Sequence, residues 1–143
     1  MIYIANDHAG FELKNKIVDW FNKKNQSIVD LGTDSNVSAD YPVFAKKIAD
    51  NIKPDDFGIL ICGSGIGMSI AVNRFDHIRG ALCFTKTMAK LARNHNNANV
   101  LILSSRNVSK WKNIQIITTF FNNNFDGGRH EKRVNMLNDM HNI

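Results

Sequence analysis

Apolar and polar positions alternate along this chain in blocks. Five near-continuous apolar runs, Ile2–Ala5, Ser27–Leu31, Gly58–Cys62, Gly80–Phe84 and Val100–Leu103, are separated by longer amphipathic stretches. An apolar run without polar alternation is the pattern of a parallel strand covered on both faces. In the first amphipathic stretch, Phe11, Leu13, Ile17, Val18, Trp20 and Phe21 recur at roughly helical spacing, with Lys14, Asn15, Lys16 and Asp19 opposite. Further helices are predicted over 42–52, 65–74, 87–96 and 109–122.

Five such units predict the α/β class: one domain built on a three-layer, doubly wound parallel sheet of five strands, Rossmann- or flavodoxin-like, with right-handed crossovers. Among doubly wound arrangements the flavodoxin-like order 2-1-3-4-5 is expected, with ligands beyond the carboxyl ends of the strands near a topological switch point. The last segment, Gly127–Ile143, opens on Gly-Gly and carries Val134, Leu137 and Met140 at helical intervals. This extra C-terminal helix has no strand after it, so it is free to pack on a partner subunit.

Composition removes several classes. An apolar content of 43% and a charged content of 22% suit an ordinary globular domain, and 143 residues suffice to bury about two-thirds of the unfolded surface. The opening MIYIANDHAG reaches Asp7 and His8 too soon for a secretory leader, and the apolar stretch 57–72 is too short and too glycine-broken to span a bilayer. Cys62 and Cys83 have no metal-ligand spacing and no disulfide framework, so no metal or cofactor and a reducing cytoplasm are expected. The net charge of +5 is dispersed over single and paired lysines, which suggests neither nucleic acid nor membrane as a partner.

The chemistry concentrates in 57–74, FGILICGSGIGMSIAVNR, where a strand delivers Cys62 into Gly63, Ser64, Gly65, Ile66 and Gly67 ahead of a helix. A bare backbone there directs N–H groups outward, and the helix start adds positive potential that stabilises an anion and favours a thiolate. The bland reading is a buried cysteine beside a tight turn. The loop is not a dinucleotide fingerprint, a Walker A loop or a phosphatase cradle, because Met68 stands where glycine or arginine would be needed and no Gly-Lys-Ser/Thr occurs.

Asp7-His8 should emerge at the same sheet edge, to hold a sugar hydroxyl and a phosphate or ring oxygen, or simply to cap a helix. His95-Asn96 ends the fourth helical stretch, where an imidazole can move a proton or sit against the helix dipole. Arg129 and Arg133 share a helical face and could form a phosphate receptor, with Arg106 as a third member. Each of these also has an ordinary surface reading.

Together they carry a resemblance. DHAGFELK at 7–14, DYP at 40–42, GILICGSGIGMSIAVNR at 58–74, ARNHNNANVL at 92–101 and GGRHEKRV at 127–134 resemble, in order, the B-type ribose-5-phosphate isomerases. That family also includes galactose-6-phosphate isomerase subunits. The resemblance implies a metal-free aldose–ketose isomerase of phosphorylated pentoses, acting in the non-oxidative pentose phosphate pathway. It implies that Cys62 moves a proton between C1 and C2 and that His95 assists ring opening. Asp7, His8, the loop Gly63–Gly67, Asn96, Arg106, Arg129 and Arg133 would bind substrate. It further implies a homodimer or homotetramer whose active sites combine two subunits. Ser64 stands where threonine is common, Asn97 where aspartate is frequent and Ser104 where glycine is frequent; none removes a proton-transfer group. Two alternatives stay open: an isomerase of a six-carbon phosphate, such as allose or galactose 6-phosphate, and a non-catalytic phosphosugar sensor.

Overall fold

The computed structural model describes residues 1–143. Strands β1 (Ile2–Asn6), β2 (Val29–Asp30), β3 (Phe57–Cys62), β4 (Gly80–Leu82) and β5 (Val100–Ser104) form one parallel sheet. Helices α1 (Phe11–Lys23), α2 (Tyr41–Asn51), α3 (Ile66–Val72), α4 (Lys86–Asn96) and α5 (Lys110–Phe121) connect and follow them, and α6 (Arg129–Leu137) ends the regular structure. The α/β class and the three layers are those expected. A short 3-10 turn, His8–Gly10, leads into α1.

The side-chain alternation of the strands fills both layers. Ile59, Ile61, Leu101 and Leu103 pack with Ile17 and Phe21 of α1 and Ile117 and Phe120 of α5. Their neighbours Leu60, Cys62, Val100 and Ile102 turn the other way, against Phe44 and Ile48 of α2 and Met68 and Val72 of α3. One strand thus feeds two cores because its residues point to opposite faces in turn. Each fully buried branched side chain contributes ~1.5–3 kcal/mol of transfer free energy.

The strand order is 2-1-3-5-4, not the expected 2-1-3-4-5. Burial explains the difference. Val100–Leu103 is completely shielded from solvent, as a branched apolar run requires, whereas Gly80–Leu82 is only partly covered. The weaker strand takes the edge and the stronger one lies between β3 and β4. In consequence the loop after β5 is a neighbour of the loop after β3: Cys62 pairs with Ser104, and the N–H groups of Ser105 and Arg106 donate to the carbonyls of Cys62 and Gly63.

The C-terminal helix α6 lies against α4 of its own chain and buries only Val134. Asn94 fastens the approach to it, its carbonyl accepting from the Asp126 N–H (3.0 Å) and its Nδ2 donating to Asp126 Oδ1 (3.0 Å). Met136, Leu137, Met140 and Ile143 remain exposed. No helix is long and apolar enough to cross a membrane.

Candidate active site

At the carboxyl edge of the sheet, the loops after β1, β3 and β5 enclose a cleft of about 310 Å³, beside the switch point between β1 and β3. Asp7, His8, Cys62, Gly63, Ser64, Gly67 and Arg106 line it, and all seven are sequence candidates. Tyr41 and Asn107 line it too, and neither is among the site residues expected from the sequence. Tyr41 lies inside the DYP block, where an aromatic residue beside a helix-starting proline is the available signal. Asn107 directly follows Arg106 and has no signal of its own.

Cys62 ends β3 and is 5% exposed, so its sulfur sits at the floor of the cleft. The Gly65 N–H donates to Cys62 Sγ at 3.2 Å. This contact needs the chain to turn sharply, and Gly65 does so with φ at +80°, in the left-handed region where a side chain is strained. Ser64 Oγ accepts from the Ile66 N–H. No hydrogen bond within the chain uses the N–H of Gly63, Ser64 or Gly67. These amides, just ahead of or within the first turn of α3, are free to bind an anion.

The glycines of this loop have a second reason to be bare. A Cβ on Gly63 would lie 3.0 Å from the Arg106 guanidinium, and one on Gly67 would lie 2.9 Å from the Tyr41 ring. One on Gly65 would run into Leu82. The absent side chains therefore admit the protein's own Arg106 and Tyr41, which shape the cleft walls. Ser104 and Ser105 hold the loops together from below. Ser104 Oγ donates to the Gly63 carbonyl at 2.7 Å, and Ser105 Oγ reaches the carbonyls of Ala9 (2.8 Å) and Cys62 (3.3 Å).

Asp7 is buried and caps the turn behind it: one carboxylate oxygen accepts from Ala9 N–H (3.0 Å) and Gly10 N–H (3.2 Å). Its other oxygen makes no hydrogen bond. Capping and lining the cleft are thus not alternatives for Asp7. His8 Nδ1 accepts from the Ala39 N–H at 3.2 Å, so in the neutral ring the proton is on Nε2, as a donor.

The remaining candidates are elsewhere. Gly65 and Ile66 support the loop without lining the cleft, and Ile66 is exposed. The helix α4 runs back along the sheet, so His95 and Asn96 at its end lie just before β5, at the amino edge. A five-residue strand separates the two edges by ~17 Å. His95 stacks on His130 of α6, with ring centroids 4.2 Å apart and planes 13° from parallel. Arg129 and Arg133 belong to the same helix and form no ion pair in the chain. Asn96 lines a different groove, with Ile70, Arg74, Arg79 and Leu137. Arg106 is therefore not a third member of the Arg129–Arg133 group within one chain. No cluster of three or more His, Cys, Asp or Glu side chains could hold a metal ion.

A family model described as ribose/galactose isomerase matches residues 2–137. The chain belongs to this family. Within it, the chain is 39% identical to ribose-5-phosphate isomerase B of Escherichia coli over 133 residues, covering 92% of this chain and 89% of the relative. The fold superimposes on a ribose 5-phosphate isomerase of Thermotoga maritima with a TM-score of 0.94 at 48% identity, over 96% and 97% of the two chains. It also superimposes on ribose-5-phosphate isomerase B of Mycoplasma genitalium with bound ribulose-5-phosphate, with a TM-score of 0.89 at 41% identity over 98% and 95%. The resemblance drawn from the sequence blocks thus extends to nearly the whole fold.

Proposed function

We propose that this member of the ribose/galactose isomerase family interconverts D-ribose 5-phosphate and D-ribulose 5-phosphate, with Cys62 as the base. The observation that carries this reading is the Gly65 N–H on Cys62 Sγ beside the unused amides of Gly63, Ser64 and Gly67. A base and a set of oxyanion donors side by side are what proton removal next to a carbonyl requires.

In the open-chain aldose, the C2 proton passes to the Cys62 thiolate and the electron pair runs onto O1. The amides stabilise the enediolate, at ~3–4 kcal/mol per donor in comparable oxyanion holes. Transfer of the 2-hydroxyl proton to O1 leaves the charge on O2. Return of the sulfur's proton to C1 then completes the ketose. Asp7 has one carboxylate oxygen left for a sugar hydroxyl, and His8 Nε2–H donates to a substrate oxygen.

Ring opening needs an acid, and the phosphate needs cations. In this reading a second copy supplies both: His95, Asn96, Arg129 and Arg133 of one subunit close the Cys62 cleft of the other. Within one chain they lie at the opposite sheet edge, so two copies packed antiparallel across a twofold axis bring each edge to its counterpart. The experiment mixes Cys62→Ala and His95→Ala subunits, each inactive alone. With random reassortment into dimers, half of the molecules are mixed and each restores one of two sites, so about a quarter of wild-type activity returns. No recovery would overturn the shared site. Running the assay with ribose, allose and galactose phosphates separates the pentose reading from the six-carbon and sensor alternatives.

A further inference from the structure

We infer that His130 is a positioning residue for His95, and that the stacked pair takes up a proton when phosphate reaches Arg129 and Arg133. The inference rests on the reading above, in which those arginines hold the substrate phosphate.

The stack is close and nearly parallel, at 4.2 Å and 13°. A ring lying flat on another removes one of the two rotations an exposed histidine has, so His130 sets the plane in which His95 presents its nitrogens. The loop leading into α6 is tied to α4 by the pair of hydrogen bonds between Asn94 and Asp126. The stack and this tie set acid and phosphate clamp in a fixed relation on one chain, in which the partner's cleft would receive them.

The surroundings are also unbalanced in charge. The groups acting on His130 are His95 from α4, Arg129 and Arg133 from its own helix, and Asp126 from the preceding loop. Three of these are cationic when charged, against one carboxylate. The proton affinity of His130 is held below the ordinary histidine range, first by desolvation and then by His95, Arg129 and Arg133, with Asp126 opposing. Two imidazolium rings at this separation repel each other. A phosphate dianion on the arginines offsets the positive charge that, after desolvation, lowers the proton affinity of His130, so His130 takes up a proton more readily with a phosphorylated sugar bound. Proton supply for ring opening is in this way tied to the presence of a phosphorylated sugar.

The test has a kinetic and a spectroscopic arm. His130→Ala should lower kcat on ribose 5-phosphate about tenfold, a part of what a positioned acid contributes, and change KM less than about threefold. His130→Phe, which restores a flat ring, should recover most of that loss. A harmless alanine, or a phenylalanine no better than alanine, overturns the positioning role. In the Cys62→Ala protein, which does not turn over, the imidazole nitrogen resonances are titrated by NMR with and without ribulose 5-phosphate. The His130 midpoint should rise on binding ribulose 5-phosphate, and not on adding ribulose, which lacks the phosphate. Midpoints unmoved by bound sugar phosphate overturn the coupling while leaving the phosphate reading intact. Unchanged affinity in the Cys62→Ala/Arg133→Ala protein would instead overturn the phosphate reading itself.

Discussion

The two edges of the sheet would carry the two halves of the proposed chemistry in opposite ways. At the carboxyl edge the functional groups are largely backbone: the amides of 63–67, a sulfur under Gly65, and serine hydroxyls that bind three loops together. At the amino edge they are side chains on helix surfaces, with Asn96, Arg129 and Arg133 all exposed and without ion-pair partners. The first half is fixed by the fold itself, with little side-chain freedom to lose in the transition state. The second half holds exposed side chains, which have more rotamer freedom to lose on binding. In the proposed reaction, the chemistry that needs sub-ångström placement falls at the rigid edge, and charge recognition, which tolerates more slack, at the free one.

Substitutions can test this contrast, beginning with the largest effect. Cys62→Ala should lower turnover by about 10²–10⁴-fold while sugar-phosphate binding survives, measured by calorimetry alongside the isomerase assay. Retained activity would remove the sulfur from the mechanism. Arg133→Ala should raise KM for ribose 5-phosphate about 10- to 100-fold, with kcat affected less, as expected for the loss of a charged hydrogen bond. Equal losses of kcat from substitutions at both edges would mean that the two edges do not differ in this way. Gly65→Ala should destabilise the protein by ~1–3 kcal/mol through the positive φ and the contact with Leu82, and should also lower kcat by moving the amide from the sulfur. A fully active, normally stable variant would show that this turn is not what places the donor.

The smallest effect concerns the other cysteine. Cys83 follows the edge strand β4, and burial pushes its thiol up to about 12. The unfolded chain releases that proton near pH 9, so the native state binds more protons above this point. The contribution is complete below about pH 9 and is lost as pH rises toward 12, costing about 1.4 kcal/mol by about pH 10. Chemical denaturation between about pH 8 and 10 should show this slope in the wild type and a flatter one in Cys83→Ala. Parallel slopes would mean that Cys83 is not sealed, and that two sulfurs rather than one are open at the carboxyl edge.

Most of the elements were legible because their signals are local. The strand runs, the first helix and the cleft residues Asp7, His8, Cys62 and Arg106 all derive from a residue's position at the end of a strand. The order of the strands is not local: it depends on how much cover Val100–Leu103 needs compared with Gly-Ala-Leu at 80–82, a comparison the residues allow but periodicity does not make. Tyr41 starts α2 and Ala39 lies in the loop before it, so the DYP block marks the helix start but not that tertiary packing sets these residues beside Gly67 and His8. His95 was legible as a helix end, yet its distance from Cys62 emerges only once α4 is laid antiparallel to the sheet.

The exchange of the fourth and fifth strands has a reach beyond topology. It makes Ser105 the keystone of an arch: one hydroxyl joins the turn beyond the first strand to the tip of the third, across 96 and 43 residues of chain. Neighbourhood across the sheet rather than along the polypeptide decides what surrounds the sulfur. A change in the turn after the fifth strand would therefore be felt at the thiol without any contact with it.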